Sequence, residues 1–207
     1  SFTTRRVQAI QHGQPILTMV TSFQKDEGGL DHQSKMPDVP QPEDLPHQDV
    51  LHQQWLAESP NTHEKVREAL LRQLAIEFRR VAPWNPLKPV VQEPKQYIWF
   101  RACGQLPDVP MLHQCVLAYA SDFNLLSAAM RPHGRSWFDP YMAVASIDHA
   151  VWFHRPLLLD DWLLYAMDSP SASGARGFSR GEIFDRQGRL VASIAQENLM
   201  RVHPPKP

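Results

Sequence analysis

The chain has 207 residues, 43% of them hydrophobic and 21% charged, which is typical of a globular protein with a buried core. Its 21 basic and 22 acidic side chains give a formal net charge of −1, which argues against a nucleic-acid partner. No apolar stretch approaches the roughly 20 residues needed to cross a bilayer, and two cysteines do not suggest a disulfide framework. We therefore expect a cytoplasmic protein with neither nucleic-acid nor membrane partners.

The first 25 residues predict a β hairpin. Residues with high β propensity alternate with polar ones on both sides of His12-Gly13-Gln14-Pro15, whose glycine and proline are typical of a turn. Because an isolated two-stranded hairpin is only marginally stable, we expect these strands to belong to a larger sheet.

Residues 26–73 predict a linker followed by a connecting helix. The segment up to Pro46 is rich in proline and poor in large apolar side chains, which favours an extended and exposed chain. From residue 61 to residue 73, apolar side chains recur at helical spacing, and Asn61 is a suitable N-cap. We predict a single helix there, packed on the outside of the protein.

Residues 74–207 predict one α+β domain. Its elements in chain order are strands at 76–81 and 96–102, a helix at 111–130, and strands at 142–153, 162–168, 176–185 and 189–201, with a tight turn at 186–188. The predicted apolar stripe of the helix consists of Leu112, Cys115, Val116, Tyr119, Phe123, Leu126 and Met130. A long helix followed by an antiparallel meander predicts a curved sheet around a central helix.

Three polar residues interrupt these apolar patterns. Asp122 lies at the flank of the helical stripe, whereas the neighbouring Ser121 falls on the predicted solvent face. Ser146 lies in the strand predicted at 142–153, and Gln196 shares a strand face with four apolar residues. A buried carboxylate or amide needs hydrogen-bond partners or a function. Each also has a structural interpretation: a helix-edge carboxylate that reaches solvent, a satisfied hydroxyl and a satisfied amide.

Two further patterns resemble known sites but fit them poorly. Residues 177–181 match the G-x-S-x-G nucleophile elbow, but that motif needs a sharp strand-to-helix turn, and Ser179 lies inside a predicted strand. His149 and His154 are five residues apart, which suits zinc ligands on neither a helix nor a strand. No phosphate-loop or dinucleotide motif occurs in the sequence, so we expect no metal and no other cofactor.

Several segments together resemble the type II acyl-CoA thioesterases. In the order of that family they are HQCVLAYASDFNLL (113–126), RPHG (131–134), ASIDHAVWFHRP (145–156), DDWLLYAMDSPSASGARGF (160–178) and VASIAQENLMR (191–201). The first 16 residues, SFTTRRVQAIQHGQPI, also look like that family. The resemblance thus covers nearly the whole chain and is most specific from His113 onward.

This resemblance implies a fold and an activity. Such thioesterases contain two hot-dog folds, each a curved antiparallel sheet around a helix, and hydrolyse acyl-CoA without a cofactor. Residues 74–207 then form a complete C-terminal hot dog, 26–73 the linker with its helix, and 1–25 the last hairpin of an incomplete N-terminal hot dog. Subunits of this type usually associate further, so the resemblance also implies a homo-oligomer.

The resemblance further implies a catalytic set that holds the attacking water, formed by Asp122, Ser146 and Gln196. Asp122 would accept a proton from this water, which Ser146 and Gln196 would orient. Asn198 stands where a glycine is common in the family, and we expect it to alter the strand without affecting the chemistry. The donors that stabilise the developing oxyanion are not assigned by the sequence.

Alternatives to this mechanism and this function remain. Asp122 as a covalent nucleophile is the less favoured route. A hot-dog hydratase is disfavoured because such enzymes carry Asp followed five residues later by His, whereas Asp148 is followed at that distance by Phe153. A non-catalytic acyl-CoA-binding module is the other alternative. The aromatic and histidine residues of ASIDHAVWFHRP are interpreted as packing residues.

Overall fold

The computed structural model describes residues 2–204, which divide into two compact units, one up to Gln33 and one from Ser34 onward. The first unit is a hairpin of β1 (Phe2–Gln11) and β2 (Gln14–Gln24). His12 and Gly13 between them have φ angles of 51° and 76°, which suit a two-residue type I′ turn. The predicted hairpin is confirmed. Its strands form a two-stranded sheet, and its assignment to a first hot dog stays a prediction.

The second unit contains an antiparallel sheet and four α-helices among its described residues. The helices are α1 (Gln48–Glu58), α2 (Glu64–Leu71), α3 (Pro110–Ser121) and α4 (Leu125–Met130). The strands are β3 (Ile76–Arg80), β4 (Lys95–Ala102), β5 (Met142–Ser146), β6 (Ala150–Phe153), β7 (Leu163–Ser173), β8 (Arg176–Asp185) and β9 (Leu190–Val202). Their order in the sheet is β3-β4-β7-β8-β9-β5, and β6 also pairs with β9.

One face of the sheet packs against α3 and α4. The buried cluster there includes helix residues Leu117, Ala120, Leu125 and Ala128 and sheet residues Phe100, Tyr165, Ile183 and Ile194. Burying such apolar surface is the main favourable contribution to folding. The predicted α+β arrangement, a helical layer on an antiparallel sheet, is therefore confirmed.

The segment predicted as an exposed linker instead covers the other face of the sheet. Met36 and Val39 pack against a cluster around Trp99, which is fully buried and donates from Nε1 to Pro40 O at 2.9 Å. Arg79 donates to Leu45 O at 2.7 Å. Residues 28–35 are exposed as predicted, but the prediction was wrong for the part from Met36 onward because it considered the segment alone: the outer sheet face carries large apolar side chains that need a cover.

The connecting region contains two helices where one was predicted. α2 begins at Glu64 rather than at residue 61, and its N-cap is His63, whose ring accepts from Lys65 N, so Asn61 is not the cap. α1 was missed altogether, although it buries Leu51 and Trp55 one helical turn apart. No helix among residues 2–204 is both long and apolar enough to cross a membrane.

The predicted four-stranded meander is confirmed only for β7, β8 and β9, because the strand predicted at 142–153 lies beside β9 rather than beside β7. The bounds of two predicted strands also change. β7 extends to Ser173 rather than to residue 168, because its pairing with β8 resumes after an irregularity between Asp168 and Ser171. The turn at 186–188 joins β8 to β9 as predicted, with Gly188 N donating to Asp185 O at 2.9 Å. The strand predicted at 142–153 is divided into β5 and β6.

Candidate active site

Asp122 lies at a break between two helices rather than inside one. The helix predicted at 111–130 ends at Ser121, and Asn124 has a left-handed φ of 69° before α4 begins. Asparagine tolerates this conformation better than most residues do. The break leaves Asp122 exposed at the C-cap of α3, where its carboxylate projects from the end of the helix.

The predicted apolar stripe of this helix was also wrong. Tyr119 is 55% exposed, whereas His113, Leu117, Ala120 and Ser121 form the buried side of α3. Ser121, predicted to face solvent, is fully buried. The stripe was placed as if one continuous helix carried it, but the break at residues 122–124 gives α3 and α4 separate packing faces. Asp122 therefore does not lie at the flank of a buried stripe.

The three residues predicted for the site are joined by hydrogen bonds. Ser146 Oγ donates to Asp122 Oδ1 at 3.0 Å, and Gln196 Nε2 donates to Ser146 Oγ at 3.0 Å. Ser146 ends the edge strand β5, and Gln196 is 1% exposed on the neighbouring strand β9. Asp122 and Ser146 thus form the exposed end of the chain of hydrogen bonds and Gln196 its buried end. The described residues make no other hydrogen bond to the Asp122 carboxylate.

A β-bulge brings a fourth side chain, His149, to this network. Ser146 pairs with Asn198 and Ala150 with Ala195, so the three residues 147–149 face only two on β9. In a regular strand, residues three apart point to opposite faces, but one extra residue between them places both side chains on the same face. Both Ser146 and His149 therefore reach Gln196, and His149 Nδ1 bonds Gln196 Oε1.

His149 determines which way the Gln196 amide points. Because Gln196 Oε1 only accepts, His149 Nδ1 carries the proton and donates to it. Gln196 Nε2 then presents two hydrogens, one to Ser146 Oγ and one to Asn198 Oδ1 at 2.6 Å. The other ring nitrogen of His149 lies 2.7 Å from Ser121 Oγ. The packing role predicted for this histidine was incomplete, because its ring connects α3 to β9.

Asn198 also contacts the network, which the sequence did not predict. β9 continues through Asn198 without interruption, and its side chain is fully buried with Oδ1 accepting from Gln196. Its Nδ2 is buried and has no hydrogen-bond partner among the described residues. The alternation of Gln196, Asn198 and Met200 on one strand face was the available sign that a second polar residue points inward.

Tyr165 holds the end of α3 beneath this network. Its hydroxyl donates to Ser121 O at 2.9 Å from the core of the sheet. Burial, and the nearby negative charge of Asp122, raise the pKa of the Tyr165 hydroxyl well above its usual range. Tyr165 therefore stays protonated and keeps donating to the last carbonyl of α3, next to Asp122.

The alternative sites do not assemble. Ser179 lies fully buried within β8, paired with Gln196 across the sheet, rather than on a strand-to-helix turn. His154 contacts Ser193 Oγ at 2.8 Å and does not join His149 in the network. No group of three or more His, Cys, Asp or Glu side chains suited to a metal ion occurs among residues 2–204.

The region that contains this network matches a known family. A family model described as acyl-CoA thioesterase matches residues 73–199, which include Asp122, Ser146 and Gln196. The chain belongs to the acyl-CoA thioesterase family. Acyl-CoA thioesterase 2 of Haemophilus influenzae is 38% identical over 201 residues, or 97% of this chain and 69% of that protein. Human acyl-coenzyme A thioesterase 8 is 39% identical over 211 residues, or 99% of this chain and 65% of that protein.

Solved structures identify the fold of this acyl-CoA thioesterase family member. The acyl-CoA thioesterase II TesB2 from Mycobacterium marinum is similar with a TM-score of 0.76 and 39% identity, covering 99% of this chain and 70% of that chain. A protein from Alicyclobacillus acidocaldarius described as having a hot dog fold is similar with a TM-score of 0.71 at 18% identity, covering 99% and 69%. The predicted hot-dog fold is confirmed.

Proposed function

We propose that this chain hydrolyses fatty acyl-CoA thioesters to free fatty acid and CoA. The observation that carries the proposal is the hydrogen-bonded series Asp122–Ser146–Gln196, within the region that matches the family model. The relatives named above are acyl-CoA thioesterases, and direct attack of water on a thioester needs a base that activates the water. The exposed carboxylate of Asp122 is the base that this network offers.

The attacking water binds between Asp122 and Ser146. It donates one hydrogen to the Asp122 carboxylate oxygen that Ser146 leaves free, and its second hydrogen to the remaining lone pair of Ser146 Oγ. As the water oxygen attacks the thioester carbon, its proton moves to Asp122. The C–S bond then breaks, and the CoA thiolate takes up the proton held by Asp122, which restores the carboxylate. Holding both hydrogens directs the lone pair of the water toward the substrate.

Gln196 acts through Ser146 rather than on the water. Both of its Nε2 hydrogens are used within the protein, by Ser146 Oγ and Asn198 Oδ1. Its contribution is to hold the Ser146 hydroxyl so that the single hydrogen of Ser146 points to Asp122. Gln196 is therefore a positioning residue in this mechanism.

Thiol release tests the proposed function. The purified chain is mixed with palmitoyl-CoA and a chromogenic thiol reagent, and we expect thiol to appear in proportion to enzyme and time. Absence of thiol release would contradict hydrolysis and favour the acyl-CoA-binding module. Loss of the double bond of a 2-enoyl-CoA without thiol release would instead identify a hydratase.

Replacing His149 by phenylalanine is expected to lower kcat for palmitoyl-CoA about 10-fold with little change in KM, the effect of losing one hydrogen bond. Without the His149 Nδ1 donor, the Gln196 amide is free to rotate and no longer holds Ser146 in one orientation. Steady-state kinetics that separate kcat from KM measure this effect.

His154→Phe is the matched control for that substitution. His154 lies in the same segment, but its ring contacts Ser193 rather than Gln196. We expect its turnover to stay within about twofold of the wild-type value, as for most surface substitutions. Equal losses of kcat in His149→Phe and His154→Phe would contradict the role assigned to His149.

Three further expectations complete the proposal. From its composition and cysteine usage we expect the protein to act in the cytoplasm, and from its family we expect a role in the metabolism of fatty acids and other lipids and association as a homo-oligomer. Size-exclusion chromatography with light scattering measures the oligomeric state directly.

A further inference from the structure

Asn198 occupies a central position next to the candidate network. It lies on β9 between Ser146 on β5 and Gly177 on β8, and shares a strand face with Gln196 and Met200. Its side chain is fully buried, as is that of Gln196. A polar side chain at such a position is expected to have all its hydrogen-bonding groups satisfied.

The orientation of the Asn198 amide follows from its neighbours. His149 Nδ1 donates to Gln196 Oε1, so Gln196 Nε2 faces Asn198, and the atom that meets it must be the acceptor Oδ1. The reverse orientation would bring two donors together. The Nδ2 group is therefore directed away from Gln196, where it has no partner among the described residues.

We propose that Asn198 Nδ2 donates a hydrogen bond to the carbonyl oxygen of the acyl-CoA thioester. This inference rests on the proposed thioester hydrolysis. Gln196 has no N–H left to offer, whereas Asn198 presents an N–H that is unused. The thioester carbonyl oxygen only accepts hydrogen bonds and gains negative charge as water attacks, so a fixed N–H stabilises the transition state. Asn198 is then a catalytic residue that contacts the substrate.

Because Asn198 is fully buried, a neighbouring side chain has to move before the substrate reaches this N–H, and Met200 is the flexible neighbour. Met200 Sδ and Ala129 Cβ both lie over Gly177, in the space that a side chain at position 177 would occupy. Gly177 is directly opposite Asn198, and Met200 is the next residue on the same face of β9. The methionine side chain has three flexible torsions, so it can change rotamer without disturbing the strand.

The first test compares Asn198→Asp with Asn198→Gly in palmitoyl-CoA hydrolysis. Aspartate keeps the shape and the acceptor for Gln196 but lacks the N–H, so we expect kcat to fall about 30-fold, as for one hydrogen bond to a group acquiring charge. Glycine frees the second Nε2 hydrogen of Gln196 to replace the lost donor, so we expect a loss of less than about fivefold.

A purely structural role for Asn198 predicts the opposite order. An aspartate variant that folds would then keep its kcat, since it retains the shape and the acceptor for Gln196, whereas glycine, which leaves a cavity in β9, would be the more damaging change. An Asn198→Asp variant within about threefold of the wild-type kcat, or a glycine variant slower than the aspartate variant, overturns the proposal. If the aspartate variant does not fold, Asn198→Leu, of similar shape and uncharged, takes its place with the same expected loss, because the methyl group that replaces Oδ1 keeps the second Gln196 Nε2 hydrogen from reaching the substrate. Ser193→Ala, on the opposite face of β9, is the control.

The second test does not depend on turnover. The wild-type chain should bind a palmitoyl-CoA analogue in which an amide replaces the thioester about fivefold more tightly than the corresponding thioether, which has no carbonyl oxygen. Asn198→Asp should abolish this preference, and a preference that persists overturns the inference. A chain that shows the preference but releases no thiol from palmitoyl-CoA would contradict the proposed hydrolysis and leave the carbonyl contact supported.

Discussion

Replacing Asp122 by asparagine is expected to lower kcat for palmitoyl-CoA by about a thousandfold, within the range measured for general bases. The asparagine oxygen can still accept from Ser146 Oγ, as Asp122 Oδ1 does at 3.0 Å, so the network keeps its geometry. The amide, however, cannot accept a proton from the attacking water. Thiol release at saturating substrate measures the loss.

Two controls make the result specific to the carboxylate. Asp122 is exposed at the helix break, so the thermal unfolding temperature of Asp122→Asn should match that of the wild type. Asp168→Asn removes a different carboxylate, one whose hydrogen bonds go to Arg180, and should leave kcat within about twofold. Near-normal turnover of Asp122→Asn would exclude Asp122 as the base and would also exclude it as a covalent nucleophile.

Replacing Ser146 or Gln196 by alanine is expected to lower kcat about 100-fold in each case, less than the loss of the base itself. Ser146→Ala removes the group that accepts the second hydrogen of the water. Gln196→Ala removes the donor that holds the Ser146 hydroxyl at 3.0 Å and leaves His149 Nδ1 without its acceptor. Steady-state thiol release measures both variants.

The decisive measurement is the combination of these variants with Asp122→Asn. If Asp122 and Ser146 hold one water and Gln196 holds Ser146, then Ser146 and Gln196 contribute little once the base is lost, and each double variant should be only slightly slower than Asp122→Asn alone. If the contributions were independent, the losses of kcat would multiply, and each double variant would be slower than the wild type by a factor on the order of 10⁵. Multiplicative losses would show that the residues do not act on a common water.

The local sequence pattern was sufficient to predict where most strands of the sheet lie. Alternation of apolar and polar residues located β4, β8 and β9, and the glycine at position 188 located the turn between the last two. Such patterns succeed because the two faces of a strand have different surroundings, and successive residues point to opposite faces. The same reasoning failed for residues 34–45, whose place on the outer sheet face depends on side chains far away in sequence.

The helix that carries Asp122 shows a second limit of local patterns. Spacing of apolar residues over 111–130 is compatible with one helix, and nothing in it forces a break at Asn124. The break is stabilised by distant partners: Arg80 Nη2 donates to Asn124 Oδ1 at 2.6 Å, and Gln96 Nε2 donates to Asn124 O at 2.6 Å. Both partners belong to strands that precede α3 in the chain.

By itself the sequence determined the α+β class and the family resemblance, because both depend on residue type and order along the chain, and through that resemblance it indicated three of the polar residues of the network. Only the tertiary structure brought Asp122, Ser146 and Gln196 within hydrogen-bonding distance of one another. The structure also added His149, which reaches the network through a bulge that contains neither glycine nor proline. It further added Asn198, whose Nδ2 group is left without a partner among the described residues because Gln196 Nε2 bonds the Oδ1 atom of Asn198. The physical reason is that register, bulges and hydrogen-bond direction are set between strands, whereas a sequence pattern describes one strand at a time.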